Sequence, residues 1–254
     1  MRLILLAGVS LGQACSVKED RIPCPCLLML DFCCPDVSET RSTGLMVTSN
    51  EELVWRDTVD VDRVGNGYAV SVPRSALHVR AWAGTAGLAN EAGLVIPLGH
   101  DCPRVYMHDS DIRATGEYVY ETVTLRKNHC VLTITTEGDG KISTGIRLRG
   151  NVAGYDAVGK PLCGEFEFPL TYGGITEGYT AVLPRQADAS LMLEIEDGHG
   201  DYKAFALGRY IVSSGYDWSS PDLEDISVTL DYALTEVRLV VNGWESVYKY
   251  DIEI

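Results

Sequence analysis

The chain has 254 residues and carries 36 acidic against 21 basic side chains, a formal net charge of −15. Such a surface repels phosphate backbones and argues against nucleic acid as a partner. A hydrophobic content of 46% with 22% charged residues is that of a folded chain, enough for one large domain or two ordinary ones, and no apolar run reaches the roughly eighteen residues of a membrane-spanning helix.

In chain order, the first element is an address rather than a strand. Residues 1–14 begin with Arg2, run mostly apolar from Leu3 to Leu11, and end in the small residues Gly12 and Ala14 before Cys15, the order of a secretory signal. Leu11-Gly12-Gln13-Ala14-Cys15 resembles a bacterial lipoprotein box, in which the cysteine thiol receives diacylglycerol and becomes the new N-terminus. Each buried CH₂ contributes about 0.8 kcal/mol, so two or three acyl chains hold a protein stably where one does so marginally. Lys18, Glu19 and Asp20 follow at once. A buried strand would not carry three adjacent charges, whereas a solvated tether can. A Lys and two acids just behind a lipidated Cys also look like the export signal that Bacteroidetes use to send lipoproteins to the cell surface.

From residue 24 the pattern is that of strands. Cys24, Cys26, Leu28, Leu30 and Phe32 alternate on one apolar face before Pro35. Period-2 segments recur at 68–72, 77–82, 122–125, 130–135, 145–149, 179–183, 191–195, 204–207, 226–230 and 237–241, with turn residues between them. Many short strands so spaced predict β-sandwiches. The segments 122–125 and 130–135 read as a strand pair or one bent strand. The polar interval 108–116 reads as a linker, dividing the chain into a signal (1–14), a tether (15–23), and sandwiches at 24–115 and 116–254. Helical periodicity is nearly absent, and 83–93 is too rich in glycine for a stable helix.

Chemistry-bearing clusters are few. Cys24, Cys26, Cys33 and Cys34 lack the spacing that turns pairs of thiolates toward one tetrahedral metal, and the disulfide pairing of the eight cysteines cannot be read from the sequence. None of the five histidines stands in a nucleophile-elbow or zinc-protease motif. Glu165 and Glu167 share a strand face, as exposed strand residues often do. The loop 214–226 offers Tyr216 and Trp218 for stacking on a sugar, or Asp217, Asp222, Glu224 and Asp225 for Ca²⁺; the simpler reading tucks the two aromatics over the end of a sandwich. No enzyme, metal or cofactor is predicted.

Four stretches together carry a resemblance: CSVKEDRIPCPCLLMLD from Cys15, then TVTLRKNHCVLTI, GYDWSSPDLEDISVTLDYA and VRLVVNGWESV. In this order they resemble the FimB-type minor fimbrial subunits of Bacteroidetes type V pili. The resemblance implies an all-β chain of two tandem transthyretin-like sandwiches. It implies a lipoprotein of the outer-membrane surface that anchors and terminates the fimbrial shaft, its partners being a shaft subunit and, through lipid on Cys15, the membrane. Shaft subunits of such fimbriae lose an N-terminal strand to cleavage after a basic residue; cleavage after Lys18 or Arg21 here would free the fold from its own anchor. The last segment sets Tyr248, Tyr250, Ile252 and Ile254 opposite Val247, Lys249 and Asp251. It is expected either to contact a shaft subunit by strand addition or to close its own sheet. The alternative is a surface glycan-binding lipoprotein that uses Tyr216 and Trp218.

Overall fold

The computed structural model describes residues 24–64, 67–136, 145–173, 177–196, 200–231, 236–241 and 244–249, the last two as backbone only. Cys15, Lys18, Glu19, Asp20, Tyr250, Ile252 and Ile254 lie outside the described residues.

The chain is all-β, as expected. Its first strands are β1 (Cys26–Cys33), β2 (Ser42–Ser49), β3 (Glu52–Asp60), β4 (Tyr68–Val72), β5 (Ala76–Ala83), β6 (Ala89–Asn90), β7 (Gly93–Val95), β8 (Tyr106–Arg113), β9 (Tyr118–Thr124) and β10 (Arg126–Lys127). The rest are β11 (His129–Thr136), β12 (Ile146–Asp156), β13 (Pro161–Pro169), β14 (Tyr172–Gly173), β15 (Gly178–Pro184), β16 (Met192–Glu196), β17 (Tyr202–Phe205), β18 (Ile226–Asp231), β19 (Glu236–Val241) and β20 (Trp244–Lys249). Among the described residues, helix is confined to α1 (Val61–Val64), α2 (Leu207–Ser213) and one 3₁₀ turn.

In the first sandwich a three-stranded sheet, β4-β1-β9, faces a five-stranded sheet, β10-β8-β5-β2-β3. The even residues of β1 fill its core: Cys26, Leu28 and Leu30 are buried and Phe32 packs at the edge, while Cys24 is exposed. Opposite them lie Leu45 and Val47 of β2 and Leu77, Val79 and Ala81 of β5. In the second sandwich one sheet runs β14-β15-β11-β18-β19-β20 and the other β17-β16-β12-β7-β6, with β13 also paired to β12. Its core centres on Leu132, Ile134, Leu148, Leu183, Leu193 and Ile195.

Three expectations are corrected. The interval 108–116 is not a linker: most of it is β8, which runs antiparallel along the whole of β5. Its alternation of Asp109 and Asp111 with half-buried His108, Ser110 and Ile112 is that of a strand with one wet face, which hydrophilic composition disguises. The segments around 122–125 and 130–135 are not a pair either. β9 runs parallel to β1 in the first sandwich, whereas β11 joins β15 and β18 in the second. The crossing from one to the other therefore falls at β10 and Asn128, not at 115/116. The third correction is α2, whose apolar face is only Leu207 and Ile211, too short a run to register as periodicity.

Residues 84–105 add a feature that strand patterns alone cannot show. The hairpin β6–β7 leaves the first sandwich and pairs with the C-terminal end of β12, Gly154 opposite Val95 and Asp156 opposite Gly93. Both glycines have positive φ, +129° at Gly93 and +139° at Gly154, and a Cβ would sit 2.2 Å from the Tyr155 carbonyl oxygen and 2.0 Å from that of Leu94, respectively. Only glycine permits this close approach.

Candidate functional site

Two places in this fold bear on what it can do: the junction between the sandwiches and the free edge of the second one.

At the junction the chain passes from β10 through Asn128 into β11. Tyr155, fully buried on β12, donates its hydroxyl proton to the Asn128 carbonyl and accepts a hydrogen bond from the Arg185 amide at 2.8 Å. The Arg185 side chain donates from Nε to Asn128 Oδ1 at 2.6 Å, and from Nη1 to the carbonyls of Trp218 and Ser220. Burial holds the Arg185 guanidinium below its ordinary pKa and the Tyr155 hydroxyl far above its own. Each donor meets an acceptor, the condition for burying such groups without a large penalty.

His129 lies beside this network with no exposure to solvent. Its Nδ1 is 3.0 Å from the Val105 carbonyl, and its ring meets that of Tyr106 edge-on at 5.2 Å. A carbonyl can only accept, so Nδ1 carries the proton in the neutral ring. Desolvation is the largest influence on the ring, with Lys127 and Arg104 adding to it, and together they lower its pKa to about 4.

The loop 214–226 is part of the same clamp. Tyr216 and Trp218 are buried, meet edge-on at 4.7 Å, and belong to the second core. The Tyr216 hydroxyl donates to the Glu224 carbonyl at 2.7 Å. Their ring faces are thus not a platform for a sugar, which corrects that alternative, and the simpler reading holds. The acidic residues of the loop tie it to β10 and β11. Asp222 accepts from Arg126 Nη1 and the Lys127 amide at 2.9 and 2.8 Å; Asp225 accepts from Lys127 Nζ and the Val131 amide at 2.6 and 2.8 Å. Asp217 accepts from the Ser219 amide and hydroxyl, closing a local turn. These carboxylates face nitrogens and a hydroxyl rather than a common point, as Ca²⁺ would require.

Glu165 and Glu167 are also spoken for. Glu167 lies 3.4 Å from Arg147 and 3.8 Å from Arg149, and Glu165 lies 3.9 Å from Arg149, in a surface ladder that includes Glu194. Cys24 and Cys26 stand at one end of β1 and Cys33 at the other, too far apart for shared ligands, and the seven described cysteines are all free thiols.

Of the residues expected to contact a partner, Val247 and Tyr248 lie on β20, paired with Arg238 and Val237 of β19. β20 ends its sheet, so among the described residues one side of its backbone is left without a strand, the arrangement to which another chain can add.

No family model matches the chain, and no curated protein is similar to it in sequence. Solved structures are similar in fold. A candidate polysaccharide-binding protein of Bacteroides thetaiotaomicron is 14% identical with a TM-score of 0.67, over 90% of this chain and 99% of that one. A candidate adhesin of Bacteroides ovatus is 12% identical with a TM-score of 0.68, over 90% and 97%. The fimbrial anchor protein Mfa2 of Porphyromonas gingivalis is 12% identical with a TM-score of 0.65, over 89% and 100%. At these identities the likeness is one of fold: the chain has the all-β sandwich architecture found in fimbrial and adhesin proteins of these bacteria.

Proposed function

We propose that the chain is a cell-surface lipoprotein that anchors a type V fimbria to the outer membrane and terminates its shaft, with no catalytic role. Cys15 carries the acyl chains, and Lys18, Glu19 and Asp20 act as the export signal within the tether. The terminal segment, with Val247, Tyr248, Tyr250, Ile252 and Ile254, receives a shaft subunit by strand addition.

The observation that carries this reading is where the two ends of the fold lie. The tether enters β1, the middle strand of its sheet, paired to β4 over five positions and to β9 over seven. Tension along β1 loads both ladders in shear, so many hydrogen bonds must fail together, whereas an edge strand pulled sideways peels one bond at a time. β1 also supplies the first core, which makes its loss to proteolysis incompatible with a folded first sandwich. Among the described residues the open edge lies at β20, in the other sandwich, so membrane and shaft attach to different halves. The likeness in fold to Mfa2 over nearly its full length supports the same role.

Fractionation of cells producing Cys15→Ala tests the anchor. The expected result is secreted protein with fibres shed into the medium or abnormally long; unchanged attachment of both overturns it. Deleting residues 248–254 tests the contact: a stable fold with normal fibre attachment would remove the terminal strand from that role.

A further inference from the structure

The outer face of the five-stranded sheet is roofed on one side by the β6–β7 hairpin and on another by the β12–β13 turn. Between them lies a cleft of about 760 Å³ that joins the two sandwiches, within the range of small-ligand sites. Its floor is built by cross-strand neighbours on β2, β5 and β8: Thr48 beside His78 beside Asp111, and Met46 beside Arg80. A second cavity of about 590 Å³ shares Met46, Arg80 and Glu91 with it and reaches Trp82. Arg56 Nη2 and Glu91 Oε1, 2.7 Å apart, strap the hairpin to β3 over this floor.

Arg80 is the anomaly of the site. It is only 8% exposed, yet its Nε has no hydrogen-bond partner; the nearest carboxylate, Asp109, is 3.6 Å away. His78, two residues along β5, holds Asp109 at 2.8 Å and Asp111 at 2.9 Å. Even so, its buried Nε2 lies off the line of a hydrogen bond. Arg80 Nε and His78 Nε2 thus converge on one Asp109 oxygen without a well-directed hydrogen bond, so a single carboxylate is shared by two side chains in the wall of the cleft.

We propose that this cleft is a binding site for a neutral oligosaccharide. Three features select that chemistry. Arg80 and Arg113 stand among Glu51, Glu91 and Asp111 on the walls, and Glu91 is itself paired with Arg56, so the walls carry no excess of positive charge that would select an anion. A sugar hydroxyl, in contrast, accepts from the cations and donates to the carboxylates. The floor strands β2 and β5 are hydrogen-bonded on both sides, leaving no main-chain groups for a peptide to pair with; recognition there is by side chains alone. At the mouth, Leu53 on one sandwich and Val158 on the other are apolar yet 50% and 39% exposed, and they suit the C–H faces of a pyranose. The site does not depend on the anchor role.

Calorimetric titration of the purified full-length chain with maltohexaose, mannotetraose and N-acetyllactosamine, and with sialyllactose and tri-galacturonate as acidic counterparts, tests it. The expected result is saturable binding of at least one neutral sugar, weakened about tenfold or more by Arg80→Met. Leu53→Asp at the exposed lip, which leaves the core intact, gives a comparable loss with an unchanged melting temperature; Tyr120→Ala, on the opposite sheet, changes nothing. Failure of every neutral sugar to bind, tighter binding of the acidic ones, or binding indifferent to both Arg80→Met and Leu53→Asp overturns the proposal.

Discussion

Acidification should weaken this fold through His129, and the size of the effect follows from its surroundings. The ring is buried in neutral form against the Val105 carbonyl, with Lys127, Arg104 and Asp225 the charges that face it. Its pKa falls from 6.5 to about 4 in the folded chain. Between those values the unfolded chain binds a proton that the folded chain refuses, so stability rises with pH across this window and is fully present above it. One pKa unit corresponds to about 1.4 kcal/mol, which makes the loss on going from pH 7 to pH 5 about 2 kcal/mol, and the whole loss below pH 4 about 3 kcal/mol. His108, whose pKa burial also lowers, acts in the same direction in any variant that keeps it. Denaturant unfolding of wild type and His129→Asn across pH 4 to 8 isolates the effect, because the Asn amide can still donate to Val105 but cannot titrate. The wild-type profile should fall more steeply by about 2 kcal/mol between pH 7 and 5. Parallel profiles, or a folded-state ring resonance that titrates near pH 6.5, would refute the reasoning.

Other consequences lie at the same junction and at the crossover. Arg185→Met leaves Asn128 Oδ1 and the carbonyls of Trp218 and Ser220 without their donor; a loss of about 3 kcal/mol is expected, and differential scanning calorimetry should resolve two transitions where wild type gives one. Gly154→Ala drives a Cβ into the Leu94 carbonyl at positive φ. It should cost at least about 3 kcal/mol and open residues 84–105 to limited proteolysis. Alkylation of the native chain should modify Cys24, Cys33 and Cys163, which are exposed, and spare buried Cys26, Cys102 and Cys130. Burial pushes the Cys130 thiol up to about 12, so mild alkali should not expose its reactivity before the fold opens.

Much of the fold was legible because β structure with one dry face writes itself as alternation. The even residues of β1, the segment 68–72 and the runs that became β15, β18 and β19 follow the period of two that a half-buried strand imposes. Not every strand that escaped notice is weakly patterned, since β2 alternates Thr43, Leu45 and Val47 inward as regularly as β1, but β8 hides for a physical reason. β8 carries Asp109 and Asp111 on its exposed face and the polar His108 and Ser110 on its half-buried one, so neither face shows an apolar run and the stretch passes for a loop. α2 buries only Leu207, Gly208 and Ile211, too short a run to show a stripe.

The sequence by itself determined local matters: which stretches extend, which residues of β1 enter a core, and that the chain carries no recognised catalytic motif. Only the tertiary structure decided where those strands go. β9 and β11, neighbours in sequence, belong to different sandwiches, because parallel pairing of β9 with β1 is a long-range choice that no short window encodes. The same is true of the sites. Tyr216 and Trp218 looked available until packing placed them in the core, and Arg80 looked like any strand arginine until the fold buried it with its Nε 3.6 Å from Asp109 and without a hydrogen bond.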